Sequence, residues 1–193
     1  FLQKWVDETK DTLYIEGHLP GASSRTLAEM KWLGVKGDHE AMTIDDVEKR
    51  LRHGYYVTLR YASIRPDLPT ILREMKERNW PITERFMMTT DGAPPLFYEK
   101  GWMDRCIQLA ADVLEDPIPA YLMATLHPAL AYGIDGEVGS IATGKRAHLN
   151  FVRSLEEPTP VDVLQNGEWV VRDGQLLAEP QRALQIEWPS LSL

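Results

Sequence analysis

Short β-type runs and helical stretches take turns along the first two-thirds of this chain. Residues 12–16 are rich in strand-formers and end at Gly17-His18, after which a Pro-Gly turn leads into 26–33, where apolar residues recur at helical spacing. The form then repeats. Residues 34–40 predict a very short strand, and Thr43 with Asp46 three positions on resembles a capping box opening a helix through 47–51, closed by Gly54. Residues 55–61, β-branched and aromatic, predict a third strand, with Pro66 and Pro69 setting the start of a helix over 68–78. A fourth strand is predicted over 85–91 and its helix over 103–114, across the loop Gly92-Ala93-Pro94-Pro95.

Four successive βα units imply parallel strands joined by right-handed crossovers, in an open doubly wound sheet or in part of a (β/α) barrel. A whole barrel takes eight units and about 250 residues, so four units make half of one. Beyond a helical stretch over 120–132 the pattern becomes strand-like at 139–141, 147–152, 161–164, 169–171 and 175–177, with Asn166-Gly167 and Asp173-Gly174 as hairpin turns. The expected α/β architecture is therefore the second half of a (β/α)8 TIM barrel with trailing helices over 1–136, then part of a small antiparallel β-sandwich over 137–193. The chain opens on Phe1-Leu2-Gln3-Lys4-Trp5 without an initiator Met. An N-terminal half of the same protein is the expected partner, with self-association into a homo-oligomer as a further option.

Charge narrows the function. With 21 basic against 29 acidic residues the net charge is -8 and the pI near 5.1, which disfavours a grip on nucleic acid or an anionic membrane surface. A small neutral or cationic substrate fits better. No stretch approaches the roughly 18 apolar residues of a membrane span, and no signal core follows the N-terminus, so the cytoplasm is the expected compartment. The single cysteine, Cys106, can form neither an internal disulfide nor a cysteine-based zinc site, and it falls in an apolar-periodic stretch as a buried thiol would. Cytidine-type deaminases, which need a Pro-Cys-x-x-Cys element, are excluded, as is dinucleotide binding for want of Gly-x-Gly-x-x-Gly after a strand.

The chemistry-bearing residues fall at the ends of the predicted strands: His18 after the first, His39 with Glu40 after the second, Arg60 at the third and Asp91 at the fourth. In βα proteins the carboxyl ends of strands line the ligand site. Singly, each of these residues reads as a cap or turn former. Together, two imidazoles and a carboxylate on one rim form part of a site for zinc, iron or manganese. His53, at a helix C-terminus, suits the dipole and needs no further role.

Several segments resemble the second half of adenine deaminases of the amidohydrolase superfamily. They are Glu16-Gly17-His18-Leu19-Pro20-Gly21, Asp38-His39-Glu40-Ala41, Tyr56-Val57-Thr58-Leu59-Arg60 and Thr90-Asp91. The segments from Met123 to Ala129 and from Gly139 to Ala147 continue the likeness. The resemblance implies that His18, His39 and Asp91 are metal ligands from the barrel's fifth, sixth and eighth strands, around a divalent Mn, Fe or Zn centre that is binuclear in the full-length protein. It further implies a purine substrate, adenine, attacked at C6 by a metal-activated water to give hypoxanthine and ammonia. Asp91 then takes the water's proton, and Glu40 is a candidate catalytic and substrate-binding carboxyl at the ring nitrogen, unless it is simply a helix-entry carboxylate. Arg60 would orient substrate or a carboxylate through its planar fork, or pair structurally. The chain has Thr90-Asp91-Gly92 and Arg60-Tyr61-Ala62-Ser63 where the family commonly shows Thr-Asp-Asp and Arg-Glu-Gly-Ser, and His127 and His148 replace a common Asn and Asp and are expected to be structural. The alternatives are an amidohydrolase acting on a cyclic amide or another aminopurine, and an inactive fragment.

Overall fold

The computed structural model of the protein describes residues 2–9 and 11–177. Four strands, β1 (Glu16–Gly17), β2 (Gly37–Asp38), β3 (Tyr56–Arg60) and β4 (Phe86–Thr89), form one sheet in the order β1-β2-β3-β4, every neighbour parallel. The first two are shorter than the sequence pattern suggests. Only two residues of each pair with a neighbour, and the backbone at Gly37 is closely packed, since a Cβ there would run into the Tyr14 hydroxyl.

After the strands come helices α2 (Ser24–Trp32), α3 (Ile44–Arg52), α4 (Leu68–Glu77) and α5 (Met103–Leu114); α1 (Leu2–Thr9) precedes them all and was not signalled by the sequence pattern. Thr43 caps α3 by accepting from the Asp46 N–H at 3.2 Å, while the Asp46 carboxylate reaches back to the Met42 N–H rather than to Thr43, a capping box displaced by one residue. Apolar faces of α3, α4 and α5 close over β3 and β4: Val47, Ile71, Leu72, Met75 and Ile107 pack with Val57, Leu59 and Phe86 in one buried cluster. Removing each such side chain from water contributes about 1.5–3 kcal/mol. A smaller cluster of Val6, Ile15, Leu27, Val35 and Tyr55 seats α1 and α2 near β1.

The predicted helix over 120–132 is two helices, α6 (Pro117–Ala124) and α7 (Leu126–Tyr132), divided at Thr125 (φ -131°, ψ -78°). Pro128 explains the break, since in a continuous helix its ring would clash with the carbonyl of Ala124. No strand forms over 139–141. Gly139 adopts φ +88° and lies so close to α7 that a Cβ would approach that of Ala129 to 2.5 Å, so its role is close packing. The remaining strands, β5 (Leu149–Phe151), β6 (Asp162–Gln165), β7 (Glu168–Arg172) and β8 (Gln175–Leu176), form an antiparallel meander. Asn166-Gly167 and Asp173-Gly174 all have positive φ, the type I′ geometry that matches strand twist. Residues 178–193, the end of the expected second domain, lie outside the described residues. Among the described residues no helix is long and apolar enough to cross a membrane.

Candidate metal centre

Because β1 to β4 run parallel, their carboxyl ends emerge on one side, and the strand-end residues follow: His18 leaves β1, His39 and Glu40 leave β2, Arg60 ends β3 and Asp91 lies just past β4. His18 Nδ1 and His39 Nε2 are 3.2 Å apart. Glu40 Oε1 lies 3.4 Å from the first and 3.7 Å from the second. Donors bonded to one tetrahedral ion at about 2.0–2.2 Å are separated by about 3.3–3.6 Å, so these three atoms have the mutual spacing of three corners of such a site. Among the described residues, His18, His39 and Glu40 are the one group of three or more His, Cys, Asp or Glu that could hold an ion.

Asp91, expected as a ligand, lies on the same rim and is paired with Arg60. Its Oδ2 accepts from Arg60 Nη1 at 3.0 Å, and its backbone is in the left-handed region at φ +50°. Arg60 is buried and spans two carboxylates, donating from Nη1 to Glu40 Oε1 at 2.6 Å and from Nη2 to Glu40 Oε2 at 3.3 Å. Arg65 adds a third grip on Glu40, Nη2 to Oε2 at 3.2 Å, and pairs with Asp67 at 3.3 Å. Burial, the largest influence on both carboxyls, would raise them, but the Arg60 hydrogen bond and charge prevail and hold Glu40 and Asp91 below the ordinary carboxylate range. Arg60 is itself held protonated by the same contacts. In this arrangement Glu40 is held as a carboxylate.

Glu16 plays a part that the motif reading missed. Its Oε1 lies 3.1 Å from His39 Nδ1, and this hydrogen bond is the largest reason that the His39 pKa stands above its usual value, against burial, which lowers it. An imidazole that donates Nδ1–H to a carboxylate presents Nε2 as a free lone pair, the usual arrangement behind a metal-binding histidine. Side chains two apart on a strand share a face, so Glu16 beside His18 was a readable signal. Asp38, Arg50, Arg65 and Asp67 were likewise unforeseen. Arg50 could have been found from its place three residues after Val47 on the apolar side of α3.

Beside the centre, a cleft of about 300 Å³ is lined by Glu16, His39, Thr58, Met88, Asp91 and Tyr132. A second cavity, of about 590 Å³, opens between the loops after β3 and β4, with Tyr61, Phe97 and Trp102 among its walls. The Tyr98 hydroxyl donates to the Asp91 carbonyl at 3.0 Å, which ties the aromatic loop to the rim. The other histidines are structural as expected: His127, buried, donates to the Phe86 carbonyl from Nδ1 at 2.9 Å, and His148 Nδ1 accepts from the Asn166 N–H at 3.2 Å. Cys106 is buried, and burial followed by Asp104 pushes its thiol up to about 12.

The Amidohydrolase family model matches residues 2–172. The chain belongs to the amidohydrolase family. It is 54% identical over 172 residues to the "Putative adenine deaminase" of Halalkalibacterium halodurans, covering 89% of this chain and 30% of that protein. Against the "Adenine deaminase" of Cenarchaeum symbiosum it is 33% identical over 175 residues, 90% of this chain and 29% of the relative. The chain thus spans about three-tenths of the length of these curated relatives. Among solved structures it resembles N-acetylglucosamine-6-phosphate deacetylase from Pasteurella multocida (TM-score 0.67, 18% identity, 89% of this chain, 54% of that one). It also resembles an enamidase (TM-score 0.55, 17% identity, 95% and 61%). These two likenesses speak for the fold.

Proposed function

We propose that this chain is the second half of a (β/α)8 barrel, over residues 1–136, joined to part of a β-sandwich over 137–193, in a metal-dependent aminohydrolase that converts adenine to hypoxanthine and ammonia. The observation that carries the metal reading is the His18, His39, Glu40 triangle, whose 3.2–3.7 Å sides suit one divalent ion. Mixed imidazole and carboxylate donors accept Zn, Mn or Fe alike. His18 and His39 hold the ion, with Glu40 or Asp91 completing the protein donors; a two-metal centre calls for more donors than these residues bring together. A bound divalent ion lowers the pKa of water towards neutrality.

Hydrolysis of adenine adds water at C6 and expels ammonia, so one proton must leave the attacking water and one must reach the departing nitrogen. Asp91, kept ionised by Arg60, accepts the first and passes it to the departing nitrogen. Glu40, ionised between Arg60 and Arg65, takes up the water's other proton and delivers it to the ring nitrogen, while Arg60 holds the two carboxylates in register. Support for the purine comes from the relatives named adenine deaminase and from the aromatic walls at the rim, which suit a flat ring.

The test is ammonia release from adenine by the full-length protein, lost in His39→Ala and in Asp91→Ala. A full-length protein that binds metal yet releases ammonia from no aminopurine sinks the deaminase reading and leaves cyclic amides as the substrates to try.

A further inference from the structure

We propose that Asp38 and Arg50 form a positioning pair that sets the spacing between His18 and His39. The inference rests on the metal-centre reading above. Both side chains are fully buried, at 0% exposure, with Arg50 Nε donating to Asp38 Oδ1 at 2.5 Å. Two charges so deep lose their hydration, and their mutual attraction alone leaves such a pair no better than apolar residues of equal volume. What distinguishes this pair is the main chain that it holds.

Asp38 Oδ2 accepts from the Leu19 N–H at 2.8 Å, and Oδ1 accepts from the Glu40 N–H at 3.0 Å. Arg50 donates from Nη2 to the Leu19 carbonyl at 2.7 Å and from Nη1 to the Asp46 carbonyl at 3.2 Å. One carboxylate therefore binds the residue after His18 and the residue after His39, and belongs to the residue before His39. Both main-chain polar groups of Leu19 are taken by the pair.

This matters because the side-chain contacts of His18 are with His39 and Glu40, the other members of the site. The His18 side chain is 71% exposed, so packing does not fix the ring, and β1 has ended one residue earlier. The backbone at Leu19 is the lever, and Asp38 with Arg50 grips it from the end of β2 and from helix α3. His18 Nδ1 stays 3.2 Å from His39 Nε2 because the two loops share this buried anchor.

The experiment is a titration of chelator-stripped full-length protein with Zn²⁺ in competition with a chromophoric chelator, alongside far-UV circular dichroism. Asp38→Asn and Arg50→Lys are expected to keep the fold and bind Zn²⁺ about 10–100-fold more weakly, the usual cost of losing an orienting partner behind metal ligands. Leu72→Ala, a core truncation remote from the centre, is the control for general destabilisation and should keep its affinity. Should the single variants fail to fold, the double variant Asp38→Leu with Arg50→Met leaves no unpaired buried charge, and it too should lose affinity. Wild-type affinity in any folded variant of Asp38 or Arg50, or a loss no larger than that of Leu72→Ala, overturns the proposal. Undiminished Zn²⁺ binding by His39→Ala would instead show that the metal centre itself is misplaced.

Discussion

Replacing Arg60 by Met, which matches much of its length and carries no charge, tests how the two rim carboxylates are held. Arg60 makes three hydrogen bonds, two to Glu40 and one to Asp91. Glu40 is only 3% exposed, so the variant leaves a buried carboxylate with Arg65 at 3.2 Å as its remaining arginine, beside the His18 and His39 rings. Breaking one side of a buried pair costs about 3–5 kcal/mol, and the surviving Arg65 contact together with the solvent open to Asp91 places the loss near the lower figure, about 3 kcal/mol at pH 7. The pH dependence follows from direction. In the native protein the Glu40 pKa lies below its unfolded value, so its stabilising contribution is complete above the unfolded carboxylate range and is lost as pH falls through the depressed folded value. In the variant burial dominates, and Glu40 takes a proton more readily. The gap between wild type and variant should thus narrow as the pH drops from 7 into the carboxylate range. Urea unfolding of chelator-treated full-length protein at pH 7 and near pH 4.5 measures both quantities, and adding Glu40→Gln to the variant should restore part of the loss by removing the stranded charge. A cost below about 1 kcal/mol at pH 7, or one that does not change with pH, refutes the argument.

Three further outcomes are expected. Glu16→Gln should weaken Zn²⁺ binding by about 10–100-fold at pH 8; because Glu16 raises the His39 pKa, protons compete with metal at higher pH in the wild type than in the variant, and the wild-type advantage should shrink in titrations carried from pH 8 down to 5.5. Gly37→Ala drives a methyl into the Tyr14 hydroxyl and should cost about 1–3 kcal/mol in chemical denaturation; Tyr14→Phe should relieve part of that and be harmless alone, because the buried hydroxyl has no hydrogen-bond partner among the described residues. Cys106, with its thiol pushed up to about 12, should resist a disulfide-exchange reagent at pH 8 in the native protein and react at once in denaturant.

The βα rhythm was legible because β3 and β4 lie in apolar runs and two helices announce their starts: Thr43 and the prolines near α4 did so correctly, and α5 spans the residues expected of it. The hairpins were equally plain from Asn166-Gly167 and Asp173-Gly174. What the pattern could not convey was contact across the chain. The break at Thr125 is no such case, because Pro128 signals it in the sequence itself. Gly139 looked like the head of a strand, yet its conformation answers to Ala129 on another helix. At the centre, strand-end placement brought out His18, His39, Glu40, Arg60 and Asp91. It did not reveal that Arg60 holds Asp91 beside Glu40, or that Glu16 and Asp38 stand behind the histidines, since these pairings depend on how neighbouring strands align. The Gly-Asp-His-Glu run reads as one motif, but its aspartate faces the interior and its histidine the rim.

The parallel sheet is laid down in the order in which the chain is written: Glu16 pairs with Gly37, Gly37 with Tyr56 and Val57 with Phe86. Every strand of this sheet docks on the one synthesised just before it, so each closure spans a single helix-bearing crossover and not the whole sheet. A ribosome delivering this segment from its amino end therefore completes the chemistry in stages. The two imidazoles meet once β2 and α3 have formed, the guanidinium that governs the carboxylates arrives with β3, and Asp91 comes last. A nascent chain stalled between β3 and β4 would already hold its histidine pair while still lacking Asp91, so the capacity to capture metal is expected to arise during translation ahead of the capacity to turn over substrate.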